Sequence, residues 1–206
     1  PAQIVLINTI TGEERVVHLP GFIWPRKLSV AGKTVVWVEE RNDPRWENRS
    51  YSVIMSKSLK TGVVRQFTKK TRYLAAAISP DGERIAAVEN TIDNRNNLVL
   101  LDAASGEIIS STPTPDNYYL QQPCWSSSGD LITLTALDGE KEIITIFYPV
   151  TESFLTLLNT ENEDLGSSYL KNDTLWYESS ASGTENIWRM VNGRREMVTN
   201  SRFGTG

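Results

Sequence analysis

A strand–turn–strand unit that returns about every 45 residues constrains this chain more than any other feature. The runs Leu28-Ser-Val-Ala-Gly-Lys-Thr-Val-Val-Trp37, Ile78-Ser-Pro-Asp-Gly-Glu-Arg-Ile-Ala-Ala87, Trp125-Ser-Ser-Ser-Gly-Asp-Leu-Ile-Thr-Leu134 and Tyr169-Leu-Lys-Asn-Asp-Thr-Leu-Trp-Tyr177 lie over one another. Their turn residues Gly32, Gly82, Gly129 and Asn172 stand 50, 47 and 43 positions apart, and Gly and Asn enter left-handed backbone at least cost. A second turn keeps its own track at Thr11-Gly12, Thr61-Gly62, Ser105-Gly106, Glu152-Ser153 and Asn192-Gly193, with spacings of 50, 44, 47 and 40. Two turns in step, joined by short β-prone runs such as Val35 to Val38 and Leu98 to Leu101, define a four-stranded unit repeated: the blade of a β-propeller. A helical solenoid is excluded, because no stretch keeps a 3.6-residue apolar period over a dozen positions.

Side-chain size follows the taper of a blade. Small residues mark the inner strand (Ala75-Ala76-Ala77, Gly166-Ser167-Ser168) and long polar ones the outer (Val64-Arg65-Gln66-Phe67-Thr68). Trp37, Trp125, Trp176 and Trp188 are expected in the core between blades. The count gives a half blade at residues 3–20, blades at 23–71, 72–116, 117–163 and 164–200, and the start of another at 201–206. Known propellers close with about four to eight blades. The chain, which lacks an initiator Met, reads as an incomplete ring cut from a parent of about six to eight blades, and open blade faces would favour self-association.

Composition narrows the partners. A balance of 21 Lys+Arg against 25 Asp+Glu is too mild to draw the chain to nucleic acid. No apolar run is long enough for a membrane span, and residues 1–12 do not resemble a signal peptide. The one cysteine, Cys124, excludes an internal disulfide and reads as a small buried residue.

The segment Ile78-Ser-Pro-Asp-Gly-Glu-Arg-Ile85 resembles the SPDG signature of TolB-like or WD-like propellers, a group similar to the N-terminal propellers of prolyl-oligopeptidase-type serine peptidases. Ser126-Ser-Ser-Gly129 and Val30-Ala-Gly32 match in part, and Leu170-Lys-Asn-Asp173 keeps little. In the signature Asp81 is expected to hydrogen-bond the turn and Gly82 to take the positive φ, which gives Gly32, Asp81, Gly82 and Gly129 structural work. The long stretch at residues 39–51, with Ser182 to Trp188, looks like exported bacterial proteins. That resemblance implies a periplasmic or envelope-associated parent, with docking or substrate presentation as the role.

Chemistry is sparse. His18, the only histidine, sits in an outer strand with no second His or Cys pair to complete a zinc site, and no G-x-S-x-G elbow, phosphate loop or dinucleotide fingerprint occurs. Asp81, Asp130, Asp138, Glu140 and Glu142 read as turn acids, and Asp93-Asn-Arg-Asn-Asn97 fails as a calcium loop at Arg95, Leu98 and Ala104. No enzyme activity, cofactor or metal is therefore expected within the segment. The site to favour is an insertion loop carrying Arg41, Arg45, Trp46, Arg49 and Tyr51, since Arg and aromatics anchor recognition surfaces. The competing structural reading has Asp43 and Glu47 clamping the loop's own arginines. A basic stretch (Lys57, Lys60, Arg65, Lys69, Lys70, Arg72) and an acidic one (Glu152, Glu161, Glu163, Asp164) read as solvated surface able to meet between copies. The leading expectation is a non-catalytic module binding protein or peptide. The alternatives are a substrate-gating propeller of a peptidase whose catalytic domain lies elsewhere, and a carbohydrate-binding propeller.

Overall fold

The computed structural model describes residues 2–23 and 28–204, with the backbone alone at residues 47 and 48. Strands β1 (Ile4–Ile7) and β2 (Glu14–His18) pair as a two-stranded sheet. The first blade contains β3 (Leu28–Ala31), β4 (Thr34–Asp43), β5 (Trp46–Ser58) and β6 (Val64–Gln66). The second contains β7 (Tyr73–Ile78), β8 (Arg84–Asn90), β9 (Asn96–Asp102) and β10 (Ile108–Pro113). In the third are β11 (Tyr119–Trp125), β12 (Ile132–Asp138), β13 (Lys141–Tyr148) and β14 (Ser153–Thr160). The fourth holds β15 (Leu165–Lys171), β16 (Thr174–Ser179), β17 (Asn186–Val191) and β18 (Arg194–Met197). Within each sheet consecutive strands pair antiparallel, and among the described residues the sheets do not close into a ring. The Ser201–Gly206 run shows no strand as far as Gly204, and its last two residues lie outside the described residues.

Burial on both faces explains why the middle strands of a blade are continuously apolar. Along β9, Leu98 and Leu100 pack against Leu120, Ile132 and Phe147 of the third blade. The alternate residues Val99 and Leu101 pack against Val36 and Ile54 of the first. Each such side chain contributes about 1.5–3 kcal/mol. The same alternation seats β1 on the first blade through Ile4, Trp37 and Val53, and the fourth blade on the third through Ile144, Leu175 and Tyr177. Trp37 and Trp125 are buried, and Trp188 is packed in part against the last cluster. Trp176 departs from the expected core role. It alternates with Leu175 and Tyr177, so it stands on the face of the fourth blade turned away from the third.

The inner turns are of two kinds. In the second blade Gly82 takes φ +79, Ser79 Oγ donates to Asp81 Oδ1 (2.5 Å), and the Glu83 N–H donates to the same oxygen (2.9 Å). The Arg84 N–H donates to Ser79 Oγ (2.9 Å). In the third blade Ser126 Oγ donates to Asp130 Oδ1 (2.8 Å), Leu131 N–H returns to Ser126 Oγ (3.2 Å), and Gly129 has φ +77. The carboxylate has moved from before the glycine to after it. The first and fourth blades instead close two-residue hairpins, at Gly32-Lys33 and at Asn172-Asp173, whose φ values are +48 and +59.

Arg84 joins two blades. Its guanidinium lies 4.8 Å from the Trp125 ring and Nη2 donates to the Gly129 carbonyl (2.9 Å), while Trp125 Nε1 donates to the Ala77 carbonyl (3.0 Å). Arg84→Ala is expected to cost about 1–2 kcal/mol in denaturant unfolding. A variant as stable as the parent would show that this contact adds nothing to the blade junction.

Candidate functional site

Residues 39–51, read as a loop, form instead an extension of the β4–β5 hairpin beyond the blade. Pairing runs through Glu39↔Val53, Arg41↔Tyr51 and Asn42↔Ser50, then shifts register so that Asp43 pairs with Trp46 across a turn at Pro44-Arg45. The turn is set by Asp43, whose Oδ1 accepts the Arg45 N–H (2.9 Å). That bond, with Lys70 Nζ 3.2 Å from Oδ2, holds the Asp43 carboxyl below its ordinary value.

The five candidate residues separate along this hairpin. Arg45 and Arg49 are exposed at the tip, and Trp46 is 64% exposed. Arg41 and Tyr51 lie lower and have internal partners. Arg41 Nη1 donates to Gln66 (3.0 Å) and Nη2 to Glu39 (3.1 Å), while Lys70 Nζ sits 5.6 Å from the Tyr51 ring centroid. Glu39 is buried, and although burial pushes its carboxyl up, the bonds from Trp37 Nε1 (2.9 Å) and Arg41 together hold it below the ordinary value. The arginine clamp expected of Asp43 is therefore taken by Lys70, and Arg41 pairs with Glu39. The clamp expected of Glu47 lies outside the described side chains. Hairpin pairing was the missed signal: Glu40↔Ser52 and Asn42↔Ser50 continue the blade register past the point where composition turns polar.

Beside the hairpin lies a cleft of about 450 Å³ between the first and second blades that reaches the third at Tyr119, walled also by Ser50, Ser52, Arg72 and Tyr73. A second cavity, of about 330 Å³, opens where the inner strands converge, with Ser29, Ala76, Gln122, Cys124, Ser168 and Trp176 among its walls. Gln122 sits there at φ +46, on a β11 bulge, and burial pushes the Cys124 thiol up.

The other candidates are engaged structurally. The His18 ring packs tilted against Trp37 with centroids 5.0 Å apart, and Asn96 donates to the Asn117 carbonyl (3.0 Å) from within the stretch weighed as a calcium loop. Among the described residues no group of three or more His, Cys, Asp or Glu could hold a metal. Among the described residues no helix is long and apolar enough to cross a membrane. Several of the surface charges already have partners: Lys57 Nζ donates to the Val17 carbonyl (2.6 Å), Lys141 pairs with Glu161 (2.8 Å) and Arg195 with Glu163 (2.5 Å).

No protein-family model and no curated protein matches the sequence. Solved structures do. A putative TolB from Agrobacterium tumefaciens is 19% identical with a TM-score of 0.72, over 96% of this chain and 69% of that one. TolB from Acinetobacter baumannii is 18% identical with a TM-score of 0.78, over 98% of this chain and 49% of that one. The β-propeller domain of the Trilobed protease from Pyrococcus furiosus is 16% identical with a TM-score of 0.58, over 87% and 58%. The fold is thus that of a TolB-like β-propeller made of four-stranded antiparallel blades.

Proposed function

We propose that this chain is a non-catalytic propeller module that binds a protein or peptide through the rim bearing the β4–β5 hairpin, within a larger envelope-associated protein. The observation that carries the reading is Trp46, 64% exposed at the end of a paired hairpin rather than on a free loop. Holding a large aromatic in place before binding lowers the ordering cost of association, and flanking Arg45 and Arg49 supply the other favoured anchor type. The likeness in fold to TolB structures supports an envelope setting. With a photo-crosslinking amino acid at position 46, covalent adducts are expected in envelope preparations. The same group at exposed Ile109, on an outer strand of the second blade, should give none. Equal labelling from both positions would overturn the hairpin as the recognition element.

A second reading, the gating propeller of a serine peptidase, is supported by the likeness to the Trilobed protease propeller. A G-x-S-x-G elbow elsewhere in the same gene product would favour it.

A further inference from the structure

The geometry points to strand addition: the outer edge of β5 at Ser50 takes up an extended peptide segment, alternately acidic and apolar, as a further strand. This rests on the hairpin being the recognition element and names the chemistry of its partner.

On β5, Ser52 donates its N–H to the Thr71 carbonyl (2.8 Å) and accepts the Thr71 N–H (3.0 Å). The Ile54 carbonyl accepts the Phe67 N–H (2.9 Å). Even-numbered residues therefore turn their main chain outward and odd-numbered ones toward β4, as an antiparallel ladder requires. Ser50 follows the same alternation. By then the connecting chain has left the edge, since Arg72 Nε is fixed on the Asn90 carbonyl (2.9 Å) and Tyr73 begins the second blade. Among the described residues nothing bonds the outward N–H and C=O of Ser50, and the residue is exposed. An uncovered strand edge is a template for another strand.

The two faces beside that edge differ. Side chains of an added strand alternate between them. One set would enter the cleft of about 450 Å³ beside Tyr73 and Tyr119, whose walls carry one carboxylate, Glu40, and one guanidinium, Arg72, so that neither sign of charge is favoured and apolar groups suit it. The other set would pass over Tyr51 and Lys70 near the exposed Arg45 and Arg49, where three cations share the single Asp43 carboxylate that Lys70 pairs with. Apolar groups on the first side and carboxylates on the second satisfy both.

The probe is a fluorescein-labelled octapeptide alternating Glu and Val, followed by anisotropy with the whole chain. Saturable binding is expected, weakened at least about tenfold by Ser50→Pro, which removes the outward donor at a position where an edge strand tolerates proline. Ser50→Ala keeps the donor and should bind as the parent does. The peptide N-methylated at alternate residues, and its Lys/Val counterpart, should each bind at least about tenfold more weakly. Binding indifferent to both Ser50→Pro and N-methylation would overturn strand addition while leaving the hairpin as a contact surface. No saturation by about 1 mM overturns the acidic–apolar partner, and if position 46 also fails to crosslink, the hairpin reading falls with it. Should Ser50→Pro fail to fold, the N-methylated peptide still decides, since it uses the parent chain.

Discussion

Trp37→Ala is expected to destabilise the chain by about 3–5 kcal/mol, enough to exhaust much of a domain stability of about 5–15 kcal/mol. The indole is fully buried, it packs with Ile4 and Val53, and it carries the His18 ring at 5.0 Å. Truncation therefore opens a cavity and removes the seat of the β1–β2 pair. It also deprives buried Glu39 of the Trp37 Nε1 donor. Because Glu39 titrates below its ordinary 4.5 in the folded chain, its contribution is present above that value and is lost as pH falls through the lower folded one. Without the indole donor the depression shrinks, so the variant should be less stable at neutral pH and should lose less further stability on acidification. Urea melts at several pH values check both parts. A variant with the parent's midpoint at neutral pH would show that the first blade does not depend on this residue.

The second large effect is expected at Gly106→Val, at about 3 kcal/mol. Gly106 has φ +84, and a Cβ there would stand 2.9 Å from the Phe67 carbonyl of the preceding blade. The equivalent Gly62, at φ +75, has nothing within 4 Å of its would-be Cβ. Gly62→Val should thus show the conformational cost alone, and the difference between the two isolates the contact between blades. Gly106→Asn, which tolerates the left-handed region, should retain the clash and lose most of the φ penalty. If both valine variants melt alike, close approach of the blades at Phe67 carries no energy.

Blade periodicity was legible because each blade repeats the same local demands: left-handed turn residues, a small inner strand and a polar outer one. Residues 39–51 were not legible as a hairpin. Pro44, Asp43 and a run of charges satisfy every local criterion for a loop, and only pairing across to residues 46–53 reveals two strands. The orientation of Trp176 was also hidden, since an aromatic in a strand declares burial but not which face its neighbours occupy. The cleft beside the hairpin draws on three blades, from Ser50 to Tyr119, and no contiguous motif could announce it.

The turns of the second and third blades bear on how such repeats diverge. In both, the invariant part is a buried serine, Ser79 or Ser126, whose hydroxyl receives an N–H from five residues on and hands its own proton to whichever carboxylate is near. The aspartate can then drift across the glycine, from position 81 in one blade to position 130 in the next, two places later relative to the serine, without unmaking the corner. The hydroxyl works as a swivel, and the acid is replaceable freight. A search pattern anchored on aspartate followed by glycine will miss such blades, whereas one anchored on a serine five or six residues before the next strand, with a left-handed residue between, will find them.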